Sequence, residues 1–255
     1  MTDLNAIYVI VMRELKKFVR ERSRLVSSIA RPLIWLFMVG AGLSRLVSPR
    51  AGMPYTQFIF PGILGMTILF SSIFSSISII WDKEFGFLKE ILVAPVRRSS
   101  IVIGKALSGT IVSTIQAAIV LMVFPLIGVK LSFVHGLLAV VISLLVAFSI
   151  SCFGIVIASF YESYESFSVI MNFIVMPMFF LSGAMYPVRL LPAALKEASR
   201  LNPLTYGVDA LKNAVFTVRV GLMRPDFSFA ADMAFLIISS AAFVILASAM
   251  FERKQ

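Results

Sequence analysis

The sequence predicts an all-α polytopic membrane protein with six transmembrane helices. Of the 255 residues, 59% are apolar and only 14% are charged, whereas a soluble domain carries about 25% charged residues. The apolar residues form long segments, and about 20 such residues cross a bilayer core. The basic residues lie at the ends of these segments. Six spans leave room for loops but not for a second soluble domain, so the sequence predicts that residues 1–255 form a single transmembrane domain.

The net charge is +10. The cations flank apolar segments rather than share one folded face, which is the distribution expected beside anionic lipid head groups. The sequence therefore predicts a lipid bilayer as partner and argues against nucleic acid. The one cysteine, Cys152, lies inside an apolar segment. It allows no intramolecular disulfide and no cysteine-based metal site, and we expect no metal.

Residues 1–24 are predicted to form an amphipathic helix in the membrane surface. Apolar side chains recur at helical spacing, and cations recur on the other side. The apolar stripe comprises Leu4, Ile7, Tyr8, Val11, Leu15 and Phe18, and the cations are Arg13, Lys16, Lys17, Arg20 and Arg24. The alternative is that these residues are the solvated start of the first span.

Six apolar segments follow the N-terminal helix and are predicted to span the membrane. They cover residues 25–46, 56–80, 101–128, 134–159, 167–186 and 228–251. Pro177 lies inside the fifth span and should kink it. Arg31 and Lys105 lie near the cytoplasmic ends of their spans, where long cationic side chains can extend to water.

The distribution of Lys and Arg predicts that both termini are cytoplasmic. Six cations lie in the first 24 residues and four in residues 81–98, whereas the six of residues 187–226 are spread thinly. Short loops that are rich in Lys and Arg usually lie on the cytoplasmic side of the membrane. An even number of spans then returns the C-terminus to that side.

Residues 82–95, between the second and third spans, are predicted to form a short cytoplasmic helix with two faces. Glu84 projects into the middle of its apolar arc, where a carboxylate is costly to bury unless a partner supplies donors. This pattern favours docking on another protein. The alternative is a surface helix whose apolar face contacts lipid. The arc comprises Phe85, Phe87, Leu88, Ile91 and Leu92, and the polar face comprises Asp82, Lys83, Gly86, Lys89 and Glu90.

The same stretch carries a resemblance to a known family. Residues 84–96 read EFGFLKEILVAPV and residues 100–105 read SIVIGK. They resemble the signature of permease subunits of type-2 ATP-binding-cassette (ABC) exporters, a group that includes bacterial drug and polysaccharide exporters. FFLSGA at 179–184 and NPLTYGVDAL at 202–211 agree with that family. Phe87 and Lys89 depart from it, since many members have Thr and an acidic residue there, which leaves the side-chain pairing with the ATPase open.

The resemblance implies that residues 84–92 form a coupling helix docked on a separate nucleotide-binding ATPase subunit. It also implies a second copy of this chain, two ATPases and the plasma (inner) membrane of a bacterium or archaeon. ATP and Mg²⁺ would be used by the partner subunit, with no cofactor bound by this chain. The sequence agrees with the need for a partner, because it has no phosphate-binding loop: Gly104-Lys105 is followed by Ala106.

Residues 187–226 are predicted to contain two short helices. Asn202 can cap a helix with Pro203 in its first position, and Leu190, Leu191 and Leu195 suggest another helix before it. By the resemblance, these helices are re-entrant and narrow an exit that includes Tyr206 and Asp209. The alternative is a hairpin at the lipid surface. We expect Asp209 and Lys212 to form a local helix pair.

Two further groups could line a substrate path. Ser71, Ser75 and Ser78 share a face of the second span, although close helix packing is the more common use of such a stripe. Phe173, Phe179 and Phe180 could close a dry gate, or could simply pack or face lipid.

The sequence thus predicts a transport subunit that is not itself an enzyme. Its substrate would be a lipophilic drug, a lipid or a lipid-linked glycan. The alternative function is a gradient-driven secondary transporter, although no acidic residue is predicted at mid-span to bind a coupling ion. A membrane-embedded hydrolase is disfavoured by the absence of its usual sequence motifs.

Overall fold

A computed structural model of the chain describes residues 3–51, 55–86, 96–128, 131–216 and 223–252. These residues form nine α-helices. They are α1 (Asp3–Arg20), α2 (Arg22–Ala51), α3 (Tyr55–Glu84), α4 (Arg98–Leu121), α5 (Phe133–Phe160), α6 (Tyr164–Leu181), α7 (Ala193–Arg200), α8 (Pro203–Val215) and α9 (Phe229–Glu252). Short 3₁₀ turns lie at Phe124–Ile127 and Val188–Leu190, and the described ranges contain no β-strand.

Five helices, α3, α4, α5, α6 and α9, are long and apolar enough to cross a membrane. Within α2, the apolar stretch Ile29–Ser44 is shorter than a typical span. The chain is therefore a multi-pass membrane protein, and the sixth span stays a prediction.

Two predicted spans end earlier than expected. Instead of continuing to residue 128, α4 ends at Leu121. Pro125 follows it and cannot extend an α-helix, since its ring clashes with the carbonyl four residues earlier, that of Leu121. Instead of continuing to residue 186, α6 ends at Leu181, and Gly183 has a φ of +77°, a conformation that a glycine adopts without strain.

The helix α3 is the centre of the bundle. In its most apolar 18-residue stretch, 83% of the residues are buried. The helices α2, α4, α5 and α8 pack around it. Its aromatic side chains Phe58 and Phe60 are fully buried. By contrast, only 28% of the residues are buried in the most apolar 18-residue stretches of α6 and α9. These two helices therefore lie at the periphery and expose apolar side chains such as Phe173 and Ile238.

The N-terminal helix α1 packs mainly against α4. Phe18 of its predicted apolar stripe is buried, whereas Leu4 and Tyr8 of the same stripe are exposed. The stripe is thus divided between the bundle and the surroundings. Its placement at a membrane surface stays a prediction.

The predicted helix over residues 82–95 begins differently in the structure. Residues Asp82 to Glu84 are the last turn of α3, which ends where Gly86 takes a φ of +77°. Asp82 is buried rather than on a polar face, and Glu84 and Phe85 are exposed. The docking residues Phe87, Leu88, Ile91 and Leu92 lie outside the described residues, and their role stays a prediction.

Candidate functional site

A buried ionic cluster joins α1, α3 and α4 next to the predicted docking segment. The Lys105 ammonium on α4 donates to Asp82 Oδ2 at 2.5 Å, Glu14 Oε1 at 2.6 Å and Ser78 Oγ at 3.1 Å. Arg13 on α1 donates to the other oxygen of Asp82. The Lys105, Asp82 and Glu14 side chains are 3%, 5% and 10% exposed. Two cations and two anions balance one another, which is the condition under which charges can be buried.

A second contact fixes the other end of α1 to the start of α4. Asp3 accepts hydrogen bonds from the backbone N–H of Arg97 at 3.2 Å and from Ser100 Oγ at 3.1 Å. The side chain of Arg97, the residue at the N-cap of α4, forms no capping hydrogen bond. Asp3 instead supplies an anion at this helix N-terminus, where the helix dipole favours a negative charge. These hydrogen bonds lower the pKa of Asp3.

The last turn of α3 makes two more contacts. The Lys17 ammonium lies 4.0 Å from the centre of the Trp81 ring, a cation–π contact, and burial lowers the pKa of Lys17. Lys83 donates to the carbonyls of Ala158 at 2.8 Å and Tyr161 at 2.9 Å. These are carbonyls at the C-terminal end of α5, which have no partner within their own helix.

Residues 87–95 are therefore bracketed by anchored helix ends. They follow α3, whose last turn is tied to α1, α4 and α5, and they precede α4, whose first turn is tied to α1. An element docked on these residues would pull on all four helices together.

The sequence analysis missed this cluster. The sequence predicts Asp82 on the polar face of a helix and the Lys105 ammonium in contact with water, yet both side chains are buried. The partners are 91 residues apart for Glu14 and Lys105, and 23 apart for Asp82 and Lys105. The available signal was that Asp82 and Lys105, of opposite charge, lie at the facing ends of two consecutive apolar segments.

The predicted exit region centres on α8, which is buried along almost all of its length. As predicted, Asn202 caps it by accepting from the N–H of Leu204 at 3.0 Å, and Pro203 occupies the first position. The Asn202 amide also donates to the Met178 carbonyl of α6 at 2.7 Å. Tyr206 stacks on Phe235 of α9, with ring centres 3.9 Å apart.

The expected helix pair between Asp209 and Lys212 is replaced by contacts to other segments. Asp209 accepts from the backbone N–H groups of Asp226 and Phe227, each at 2.8 Å, and Lys212 donates to the Gly183 carbonyl at 2.8 Å. The short spacing suggested a local pair, but both side chains are buried and satisfy backbone groups that have no helical partner. Thus α8 fastens the end of α6 to the segment before α9.

Of the predicted path residues on α3, Ser75 and Ser78 line one small cavity and Ser71 lines another. Ser78 binds Lys105 in the ionic cluster. Opposite Ser75 lies Gly109, at which a Cβ atom would come 3.1 Å from the Ser75 hydroxyl, so close helix packing explains part of the stripe. Ser71 lines a cavity, and its role in a path stays a prediction.

Of the three predicted gate aromatics, Phe173 is 75% exposed, Phe180 is 39% exposed, and Phe179 is buried in a T-shaped contact with the Trp35 ring. Their role as a gate stays a prediction. In the described part of the chain, no group of three or more His, Cys, Asp or Glu side chains could hold a metal ion.

Comparison with known proteins gives a consistent result. Residues 5–216 match the family described as "ABC-2 type transporter". The transport permease ycf38 of Cyanophora paradoxa is 30% identical over 213 residues, which cover 82% of this chain and 73% of the relative. Nodulation protein J of Rhizobium leguminosarum bv. trifolii is 27% identical, covering 74% and 72%. The inner membrane transport permease YadH of Escherichia coli (strain K12) is 23% identical, covering 94% and 92%.

Proposed function

The chain belongs to the ABC-2 type transporter family, and on that premise we propose that it is the membrane-spanning permease subunit of an ATP-driven exporter. Two copies form the translocation path, and each docks on a separate nucleotide-binding ATPase subunit. The ATPase uses ATP and Mg²⁺, and the permease performs no catalysis. The substrate is a lipophilic drug, a lipid or a lipid-linked glycan.

One observation supports this coupling most directly: α3 and α4, the helices on either side of residues 87–95, are joined to each other and to α1 by buried charges. The Lys105–Asp82–Glu14 contacts at 2.5–2.6 Å make α1, α3 and α4 a connected block. A partner that binds the segment in two positions can then move whole helices rather than a free loop. Transport requires the ATPase to hold one of those positions more tightly than the other.

At the opposite end of the bundle, α7 and α8 are proposed to be the re-entrant helices. With 13 residues, α8 is too short to cross a bilayer, which takes about 20. Its cap and side chains bind the end of α6 and the start of α9. Movement of α6 would therefore displace α8, and residues Asn202, Pro203, Tyr206 and Asp209 with it.

The proposed location is the plasma (inner) membrane of a bacterium or archaeon, with both termini in the cytoplasm. The relative YadH is known as an inner membrane transport permease. The density of cations in α1 and beside residues 87–95 supports the same orientation.

The docking role is tested by reversing one charge. Glu84 is exposed at the end of α3, so Glu84→Arg should leave insertion and folding intact. It should weaken co-purification of the partner ATPase by at least tenfold and abolish transport. Leu88→Arg should act in the same way.

Glu197→Arg is the matched control. Glu197 is also exposed, and it lies on α7, at the end of the bundle away from Glu84. This variant should retain the ATPase. Equal ATPase recovery with Glu84→Arg and Glu197→Arg would contradict the docking role.

A gradient-driven secondary transporter is the alternative outcome. It would continue to transport after ATP depletion and stop with an uncoupler, whereas an ATP-driven exporter would do the reverse. The described residues favour the exporter, because the buried acids of the long apolar helices, Asp82 and Asp232, lie in the last and first turns of those helices rather than at mid-membrane. The third buried acid among the described residues, Asp209 on the short helix α8, already accepts from two backbone N–H groups.

A further inference from the structure

A cavity whose mostly apolar lining carries a few polar side chains lies between α2, α3 and α4, away from the ionic cluster. Its volume is about 190 Å³, and its lining includes Arg31, Thr67, Phe70, Ser71, Phe74 and Gln116. The proposed function makes no use of Arg31 or Gln116. An arginine within an apolar helix is costly and marks a functional site by default.

Two buried side chains in this lining have polar atoms without a partner in the described structure. Ser71 is 7% exposed and Gln116 is 2% exposed, and neither the Ser71 hydroxyl nor the Gln116 Oε1 atom has a hydrogen-bond partner there. Burying such atoms unpaired costs free energy, so native structures rarely retain them without a reason. Both residues face the same cavity from different helices, which points to a shared ligand.

The cationic group stands at the same cavity. The Arg31 guanidinium lies 5.7 Å from the centre of the Phe70 ring, which holds a guanidinium by a cation–π contact. Arg31 itself is exposed, and Phe74 is 38% exposed. The cavity is therefore open to the surroundings of the bundle, with a cation and an aromatic side chain at its opening.

The size of the cavity limits its occupant. Drug-sized ligands occupy pockets of roughly 300–1,000 Å³, and the 190 Å³ of this cavity lies below that range. A small polar head group fits this volume, and a complete lipophilic molecule does not. The apolar part of an amphiphile would lie outside, along Phe74.

We propose that this cavity binds the head group of an anionic bilayer lipid, a phosphate ester that also carries a free hydroxyl. The phosphate accepts from the Arg31 guanidinium and the Ser71 hydroxyl, a charge-assisted arrangement to which the planar arginine group is suited. The hydroxyl of the head group donates to Gln116 Oε1. Thr67 donates to the Ile63 carbonyl at 2.9 Å and can still accept from the ligand.

The test measures lipid binding by the purified chain, and it requires neither ATPase nor transport. The protein is reconstituted in nanodiscs of phosphatidylcholine with a small fraction of phosphatidylglycerol, and the retained lipid is identified by native mass spectrometry. We expect at least tenfold enrichment of phosphatidylglycerol over its share of the bilayer. Arg31→Gln should lose this enrichment, and Arg31→Lys should keep part of it.

The control for general attraction of anionic lipids is Arg20→Gln, because Arg20 is an exposed cation of α1 outside the cavity lining. It should retain the enrichment. Equal enrichment in Arg20→Gln and Arg31→Gln, or none in the unchanged protein, would overturn the proposal.

Gln116→Leu separates binding from folding. Because its buried oxygen has no partner in the described structure, the variant should melt at the same temperature or higher while retaining several-fold less phosphatidylglycerol. A variant that melts normally and binds normally would contradict the assignment of Gln116. Soluble glycerol 3-phosphate distinguishes the source of the phosphate: displacement of the lipid at equal concentration would overturn a bilayer ligand.

Discussion

At the scale of single residues, Lys105 decides whether the cytoplasmic charges can be buried together. Its ammonium contacts two carboxylates and a hydroxyl while its side chain is 3% exposed. We expect Lys105→Met to lower the free energy of unfolding by about 3–5 kcal/mol, because it leaves buried anions without their shared cation. Unfolding by SDS titration measures this change.

Lys16→Met is the matched control, since Lys16 is an exposed lysine of α1. It should change the free energy of unfolding by less than about 0.5 kcal/mol. Adding Asp82→Asn to Lys105→Met should recover part of the loss, because one uncompensated anion is removed. If Lys105→Met were as stable as Lys16→Met, the cluster would have no stabilising role.

How far the sequence predicts a residue depends on how local its contacts are. Asn202 and Pro203 were predicted correctly because a helix cap is formed within three residues. The contacts of Lys105 and of Asp209 could not be predicted, since they need the packing of helices distant in the chain. For Asp209, the nearby Lys212 gave a misleading local alternative.

At the scale of single elements, α8 depends on its N-terminal cap. Asn202→Ala should lower the free energy of unfolding by about 1–2 kcal/mol, because it removes the acceptor for the Leu204 N–H and the donor to the Met178 carbonyl. Asn202→Asp should lose less, since its side chain still accepts at the cap. Thermal melting in detergent measures both.

Asn172→Ala controls for the loss of an asparagine. Asn172 is exposed on α6, and its amide donates only to Ser168 of its own helix among the hydrogen bonds described. Its replacement should leave the melting temperature unchanged. A comparable loss in both variants would show that the cap of α8 is not special.

The packing of α3 against the end of α6 requires a residue without a side chain. A Cβ atom at Gly62 would lie 2.5 Å from the Ala184 carbonyl oxygen and 2.7 Å from the Ala184 Cα. Because backbone atoms cannot move aside easily, Gly62→Ala should cost about 1–3 kcal/mol.

Gly42→Ala provides the opposite expectation. A Cβ atom at Gly42 meets nothing within 4 Å, so alanine should stabilise α2 by up to about 1 kcal/mol. The two melting temperatures should therefore move in opposite directions, and a shared direction would contradict the close approach at Gly62.

Element boundaries were predicted where composition changes abruptly. The starts of α3 and α9 differ from the predicted spans by one residue, because the sequence has Gly52 and Pro54 before the first and Asp226 and Ser228 before the second. The ends of α4 and α6 were placed too late, since apolar residues continue beyond them. There, Pro125 and Gly183 end the helix through backbone geometry, which hydropathy does not report.

At the scale of the whole molecule, six spans place residues 4 and 85 on one side of the membrane and residue 201 on the other. Leu4, Phe85 and Leu201 are each more than 70% exposed. In a Cys152→Ser background, Leu4→Cys and Phe85→Cys should react with an impermeant maleimide only from the cytoplasm, and Leu201→Cys only from outside. Because Cys152 is buried, the maleimide should not reach its thiol in the folded protein, and the substitution removes any remaining reaction at that position.

Labelling of Leu4→Cys and Leu201→Cys from the same side would show that α2 does not cross the membrane. The apolar stretch Ile29–Ser44 within α2 is the part of the fold that this measurement decides. The other five predicted spans are confirmed as helices that are long and apolar enough to cross a membrane, because a long run of apolar residues can be recognised in the sequence itself.

The contact of Lys83 with the last carbonyls of α5 has a mechanical consequence. Lys83 sits one residue before Glu84, yet it grips the turn that leads into α6. A force applied at residues 87–95 would thus reach two helical hairpins, α3–α4 and α5–α6, at one hinge point. Under the proposed coupling, helices α3 to α6 would tilt together, and the exposed helix α6 would move with them.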